Sequence, residues 1–373
     1  MPDFIPVNQP LLNGNEKKYL NECIDTGWIS SEGPFINKFE ENFALRVNRK
    51  YAIAVSNGTA AIDAAITAID IGPDDEIIMP TFTIISCILQ IVRLGAKPVF
   101  VDSQKDTWNM DVAQIEKRIT SKTKAIMVVH TYGLPVEMDE IMRIAEKHKL
   151  KIIEDAAEMH GQSFRNKPCG SFGDISIFSF YPNKHITTGE GGMIVTNDYN
   201  LAEKCRSLRN LCFSSQRRFV HNMLGWNLRM TNMQAALGLA QLERLDEIVR
   251  IKRKMGKLYT NLLSGLDTYL QLPLEKTDYA DNIYWIYGIV LKDSVPFDAI
   301  EAMKRLAVEG IGTRPFFYPM HLQPVFLNKG LFMNEKYPVA ENLSERGFYI
   351  PSGLALTENQ IEIVVEKVKK IFR

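Results

Sequence analysis

At 373 residues the chain is long enough for two domains, and 46% apolar with 24% charged residues is the make-up of a water-soluble, core-forming protein. Its 44 basic and 44 acidic side chains cancel, so no net field favours nucleic acid or an anionic membrane, although a single cleft could still be basic. No apolar run nears the ~20 residues of a membrane span. The start Met1-Pro2-Asp3-Phe4-Ile5-Pro6 lacks the basic-then-apolar order of a secretory leader. Five scattered cysteines (Cys23, Cys87, Cys169, Cys205, Cys212), none in a C-x-x-C pair, suggest neither a disulfide framework nor a zinc site, and the cytoplasm is the expected address.

From Tyr51 onward, short β-branched runs alternate with helical patterns. Tyr51–Val55 reads as a strand and Thr59–Ile69 as an Ala-rich helix; Glu76–Met79 is a strand before an apolar helix over Ile84–Leu94. Pro98–Asp102 and Ala125–Val129 read as strands, each followed by a helix, at Val112–Ile119 before the second and Met138–His148 after it. Lys151–Asp155 is a further strand, and the whole pattern predicts an α/β fold with a mostly parallel sheet covered on both faces. The rhythm then changes. Asp174–Phe178 and Gly192–Thr196 are strands joined by a short loop, and one long helix runs from Met233 to about Leu263 into a second domain. That smaller α+β part carries a strand at Tyr287–Leu291, a helix at Phe297–Glu309 and a terminal helix at Glu358–Phe372. The expected division is 1–240 and 241–373, without internal repeats or a flexible linker.

Three segments carry candidate chemistry. Ser56-Asn57-Gly58-Thr59-Ala60-Ala61 sits where a strand meets a helix, so it is either an ordinary N-cap or a phosphate site made of free amides, a close-approaching Gly58 and the Thr59 hydroxyl. Neither a G-x-x-x-x-G-K-[ST] loop nor a G-x-G-x-x-G accompanies it. Ile153-Glu154-Asp155-Ala156-Ala157-Glu158 ends a strand in acid, where ligands of open α/β sheets bind; Asp155 either opens a helix or pairs with a protonated ring nitrogen. In Ser179-Phe180-Tyr181-Pro182-Asn183-Lys184, ahead of Gly189-Glu190-Gly191-Gly192, the lysine is either surface decoration or a desolvated amine able to form a Schiff base.

Taken in order, S-N-G-T, E-D-A-A-E, S-F-x-x-N-K-x-x-T-T-G-E-G-G and G-W-N-L-R-M-T-N resemble the DegT/StrS-type sugar aminotransferases over nearly the whole chain, from about Pro6 to Pro351. Further matches are Gly27-Trp28-Ile29-Ser30-Ser31-Glu32-Gly33 and His130-Thr131-Tyr132-Gly133-Leu134-Pro135. The resemblance implies the pyridoxal 5′-phosphate (PLP) transferase fold type I, the fold of aspartate aminotransferase. It puts Lys184 on the lysine that binds the cofactor covalently, Asp155 on the acid at the pyridine nitrogen, and Glu158 near the phenolic oxygen. Gly58, Thr59 and Ser179 match the phosphate cradle, and Phe82 the ring that stacks on the cofactor. Asn227 matches a phosphate ligand given by the neighbouring subunit, which implies a homodimer with shared sites, with a tetramer of two such dimers as the alternative. Thr313-Arg314-Pro315-Phe316-Phe317-Tyr318-Pro319-Met320-His321 and the W-I-S-S segment look most like the GDP-perosamine synthase branch. There Trp28, Ser30, Arg314, Tyr318 and His321 are substrate-side candidates, with Arg314 suited to clamping a carboxylate.

That branch implies L-glutamate as donor and GDP-4-keto-6-deoxy-D-mannose as acceptor, giving GDP-perosamine for a surface polysaccharide such as O-antigen. UDP- or dTDP-linked 4-keto-6-deoxy sugars are the nearest competitors. A related branch with histidine at the lysine position dehydrates sugars at C3, but counting back from Gly189 the position here is Lys184, and His185 is its neighbour. The rivals from other classes are a different PLP enzyme of the same fold, such as a lyase, and a non-catalytic sugar sensor.

Overall fold

The computed structural model describes residues 4–372 apart from 215, 218 and 222; Met1–Asp3, part of the leader argument, and Arg373 lie outside the described residues. In chain order the elements are α1 (Glu16–Thr26), α2 (Pro34–Arg46), β1 (Tyr51–Val55), α3 (Gly58–Ala68), β2 (Glu76–Pro80), α4 (Ser86–Arg93), β3 (Lys97–Val101), β4 (Thr123–Val129), α5 (Met138–His148) and β5 (Lys151–Asp155). A small hairpin follows, β6 (Ser163–Phe164) and β7 (Lys167–Pro168), then β8 (Ile175–Ser179), β9 (Gly192–Thr196), α6 (Tyr199–Arg209), α7 (Asn232–Leu242) and α8 (Leu245–Leu263). The rest comprises β10 (Leu270–Gln271), β11 (Tyr287–Leu291), α9 (Ala299–Val308), β12 (Arg314–Pro315), α10 (Pro324–Leu327), α11 (Pro338–Arg346), β13 (Gly347–Ile350) and α12 (Glu358–Lys370).

Among the described residues the main sheet has the order β1-β9-β8-β5-β4-β2-β3. The pairs from β8 through β3 are parallel, and β9 runs antiparallel to both β1 and β8. Its central strands are buried along almost their whole length because helices cover both faces, which is why they read as β-branched runs and not as alternating ones. The parallel strands all deliver their carboxyl ends to one edge, so Asp155 ends β5 directly beside Ile177 of β8.

Two predicted helices come out differently. Val112–Ile119 is a pair of 3₁₀ turns, Val112–Gln114 and Glu116–Arg118, because the Asp111 carboxylate takes the Ala113 N–H and the Gln114 amide into a local turn. The long helix over Met233–Leu263 is broken at Glu243–Arg244 into α7 and α8. Arg244 leaves helical geometry (φ −110°, ψ 10°) and forks onto Glu247 at 2.8 and 3.0 Å. The break lets α7 pack on α1 and α2 while α8 turns away to α12.

The smaller sheet, β10-β11-β13-β12, is antiparallel, and its core gathers Met255 and Tyr259 of α8 with Tyr287, Ile289, Phe348 and the apolar face of α12. The N-terminal segment joins it: Ile5 exchanges backbone hydrogen bonds with Gly310 and Gly312, and Val7 accepts from Ser352. Among the described residues no helix is long and apolar enough to cross a membrane.

Candidate active site

At the carboxyl edge of the main sheet, where β5 and β8 end and α3 begins, lies a cavity of about 630 Å³. Its wall includes Gly58, Thr59, Asp155, Glu158, Ser179 and Lys184, six of the residues singled out by motif, brought together from three separate stretches of chain. Another hollow of about 660 Å³, lined by Arg206, Arg209, Arg229, Ser31 and Glu32, has no lysine facing buried acids.

Lys184 follows β8 on a turn closed by its own N–H to the Tyr181 carbonyl (2.9 Å). Its side chain is a tenth exposed, with Nζ 3.8 Å from Glu158 Oε1 and 3.9 Å from the centroid of the Trp285 ring. Trp285 is itself tied to this turn by Nε1–H donating to the Asn183 carbonyl (2.8 Å). Burial pulls the Lys184 amine below the usual lysine range and pushes the Glu158 carboxyl up, each against the attraction of the other. The site therefore favours a less protonated amine than a surface lysine carries.

Asp155 is fixed at both oxygens. Oδ1 accepts the Ala157 N–H (3.0 Å) and Oδ2 accepts the Cys87 thiol (3.2 Å), while burial raises the carboxyl. Glu158 Oε2 accepts the Tyr132 N–H at 2.6 Å. Glu154, the residue before Asp155, points the opposite way as strand alternation demands. It accepts N–H from Gly170 (2.5 Å), Phe172 (2.9 Å) and Gly173 (3.0 Å), the Ser176 hydroxyl (2.9 Å) and His130 Nε2 (3.2 Å). Burial opposes its charge, yet the His130 ring and the loop amides prevail and hold it at about 2. His130 Nδ1 accepts the Val136 N–H, so its proton sits on Nε2 toward Glu154, and the ring stays at the cavity wall.

The opposite wall is the start of α3. Asn57 caps it, its side chain accepting the Ala60 N–H (2.8 Å), and Ala61 N–H bonds the Asn57 carbonyl. The Gly58 and Thr59 amides thus have no intrahelical acceptor at the wall. A Cβ on Gly58 would lie 2.8 Å from the Ser179 Cβ, so only glycine lets the helix end close on β8. The Thr59 hydroxyl meets that of Ser86 at 2.7 Å.

Other motif residues stand elsewhere. Phe82 is buried and does not line the cavity, and its ring stands steeply to those of Tyr132 and Phe317 at 6.0 and 5.7 Å. His321 was expected at the substrate; it is buried with both nitrogens engaged, Nδ1 with Thr81 Oγ1 (2.8 Å) and Nε2 with Glu341 Oε1 (3.1 Å), and it ties the loop before α10 to α11. His185 likewise turns inward, Nε2 donating to the Ile283 carbonyl (3.2 Å). Tyr318 is half exposed outside the cavity, and Trp28 and Ser30 are exposed, their carbonyls holding Asn232 at the start of α7. Asn227 is exposed in a backbone bridge with Asn210. Arg314 is exposed in a small adjoining hollow of about 210 Å³ that shares Tyr181, Asn183 and Tyr349 with the main cavity. Cys87, Trp285 and Tyr349 were missed by sequence reasoning: no motif surrounds them, and only long-range folding brings them to the site.

Residues 10–369 match the model of the DegT/DnrJ/EryC1/StrS aminotransferase family. The chain is similar to the GDP-perosamine synthase of Escherichia coli O157:H7, 43% identical over 369 residues that cover 99% of each protein. It is also similar to that of Caulobacter vibrioides, 42% identical with 98% of each covered. A solved aminotransferase structure from Psychrobacter cryohalolentis superposes with a TM-score of 0.91 at 31% identity, covering 99% of this chain and 98% of that one.

Proposed function

The chain belongs to the DegT/DnrJ/EryC1/StrS aminotransferase family, whose cofactor is pyridoxal 5′-phosphate, and from that premise we propose that it moves the amino group of L-glutamate to C4 of GDP-4-keto-6-deoxy-D-mannose, giving GDP-perosamine. The fold is that of PLP enzymes of type I. The observation that carries the site is a single one: a desolvated Lys184 amine beside Glu158 and Asp155, across a cavity from a helix start that only Gly58 allows to close on Ser179. The residues fit the cofactor, since the free amides of Gly58 and Thr59 with the Ser179 hydroxyl suit a phosphate, and the Asp155 carboxylate suits a protonated ring nitrogen. Bound there, the cofactor supplies a carbonyl for the amine and a ring that withdraws electrons.

The protein's own groups do the rest. Lys184 Nζ takes the proton from Cα of glutamate in one half-reaction and delivers a proton to sugar C4 in the other. Burial lowers its basicity, which makes it a readier proton acceptor than a surface lysine. Asp155 would keep the ring nitrogen of the bound cofactor protonated, and Glu158, held by the Tyr132 N–H, faces the Lys184 amine. To Arg314, which lines the adjoining hollow, this reading assigns the donor carboxylate. A homodimer with Asn227 reaching the neighbour's phosphate, a cytoplasmic location and a role in O-antigen supply belong to the same reading.

The experiment is incubation of purified enzyme with PLP, glutamate and GDP-, UDP- and dTDP-linked 4-keto-6-deoxy sugars, with products read by mass. GDP-perosamine is the expected main product; turnover of the UDP or dTDP sugar alone would assign the acceptor to another nucleotide. Lys184→Ala should abolish transfer and the yellow absorbance of the bound cofactor, and full activity in that variant would end the assignment.

A further inference from the structure

We infer that Thr83 and Cys87 form a short hydrogen-bonded chain that sets the direction and proton affinity of the Asp155 carboxylate, acting as positioning residues for the transfer proposed above, on whose reading of Asp155 the inference rests. Cys87 Sγ lies 3.2 Å from Asp155 Oδ2 with the thiol as donor, and Thr83 Oγ1 lies 3.4 Å from the same sulfur. The one sulfur proton points at the carboxylate, so the Thr83 hydroxyl donates to sulfur and polarises that thiol. The pair stands four residues apart at the entry to α4, and both side chains are buried: Thr83 borders the cavity and Cys87 lies behind it. Burial and the neighbouring acids raise the thiol well above its usual range, which keeps it a donor across the working pH range.

The other oxygen, Oδ1, is taken by the Ala157 N–H, so each oxygen has one fixed donor and keeps a lone pair for a ligand N–H. The charged or titratable groups facing Asp155 are Lys184 from the turn after β8, His130 from the end of β4, Glu158 beyond β5 and Cys87 itself. Of these only Cys87 bonds the carboxylate directly among the described residues. The choice of sulfur has a physical consequence. A thiol is a weak donor, so it orients the carboxylate while leaving most of its basicity for the ring proton; a hydroxyl at the same place would compete with that proton.

The test compares Cys87→Ser, Cys87→Ala and Thr83→Val holoenzymes. It records kcat and KM for glutamate, the PLP dissociation constant, and the pH at which the absorbance of the bound cofactor changes. Ser, the stronger donor, and Ala, no donor, should move that midpoint in opposite directions, each by about half a pH unit. Cys87→Ala should lower kcat about three- to ten-fold with KM unchanged, and Thr83→Val should shift the midpoint in the same direction as Ala but less. Unshifted midpoints, or shifts of one sign in both Cys87 variants, would overturn the inference while an inactive Asp155→Asn left the role of Asp155 intact. A wild-type rate in Asp155→Asn would instead remove the reading beneath it. Should the Cys87 variants not fold, the near-isosteric Thr83→Val decides by its midpoint alone.

Discussion

Glu154 and Asp155 are successive residues on β5, and strand alternation sends them to opposite sides of the sheet with opposite tasks. Glu154 is a structural hub: five donors from the β7–β8 loop, Ser176 and His130 converge on it, holding it at about 2 against the ~4.3 of a free glutamate. Glu154→Gln should cost about 2–4 kcal/mol in urea unfolding at pH 7, because it leaves buried donors poorly matched. A depressed carboxyl stabilises fully above its unfolded value and less as pH falls toward its folded one, so the deficit of the variant should shrink between about pH 4.3 and 2. Asp155, with fewer donors and one oxygen on a thiol, is left available to a ligand. Asp155→Asn should retain the fold and bind PLP, yet lower kcat by about 100-fold; an unchanged kcat would move the ring-nitrogen role elsewhere.

At the level of elements, the start of α3 is where backbone chemistry is concentrated. Gly58→Ala would drive a Cβ to 2.8 Å from the Ser179 Cβ, so the helix end must back away from β8. The PLP dissociation constant, read by absorbance or equilibrium dialysis, should rise about ten-fold, ~1.4 kcal/mol, with little change in the far-UV spectrum. Lys252 of α8 is a second element-level device: buried, and with no acid beside it among the described residues, it donates to the Trp285 carbonyl at 2.9 Å and to the Ser352 carbonyl, and burial lowers it to about 7. Because its folded value lies below its unfolded value near 10.4, the unfolded chain binds more protons between the two, and this lysine favours folding increasingly as pH rises from about 7 to 10. Calorimetry of wild type and Lys252→Met across that range should show the wild type gaining stability relative to the variant; a constant difference would contradict a buried, unpaired amine. The α3 start was legible as S-N-G-T between a strand and a helix, whereas nothing in the chain around Lys252 announced a buried amine. Strands β1, β5 and β9, and α5, were legible to the residue because burial on both faces or a clear apolar stripe dominates their patterns. The break at Glu243–Arg244 was not, since it depends on Arg244 reaching Glu247 and the Asn13 side chain, the latter far away in sequence. His321 was hard to read for the same reason: its partner Thr81 is 240 residues away, and nothing in R-P-F-F-Y-P-M-H tells which way the ring turns.

For the whole molecule, the proposed division near residue 240 gives the cavity two sources: the main sheet supplies Lys184, Asp155 and the α3 start, and the smaller part supplies Trp285, Phe317 and Tyr349. The motif residues in this wall were readable because each lies at a strand end or helix start; Trp285 and Tyr349 were hidden because their placement depends on how two sheets meet. Asn227 lies outside the cavity of its own chain, close in sequence to exposed Met223 and Leu224. The proposed homodimer with crossed contributions would give Asn227 a site to serve, and sedimentation equilibrium should then return twice the mass of one chain. The sharper test is complementation. Lys184→Ala and Asn227→Ala chains, each poorly active alone, are mixed, unfolded and refolded together. If Asn227 serves the partner's site, a mixed dimer holds one site with both defects and one with neither, and random pairing makes half the dimers mixed, so about a quarter of wild-type activity should return. Were Asn227 to act within its own chain, every site in the mixture would carry one defect or the other, and mixing would restore nothing.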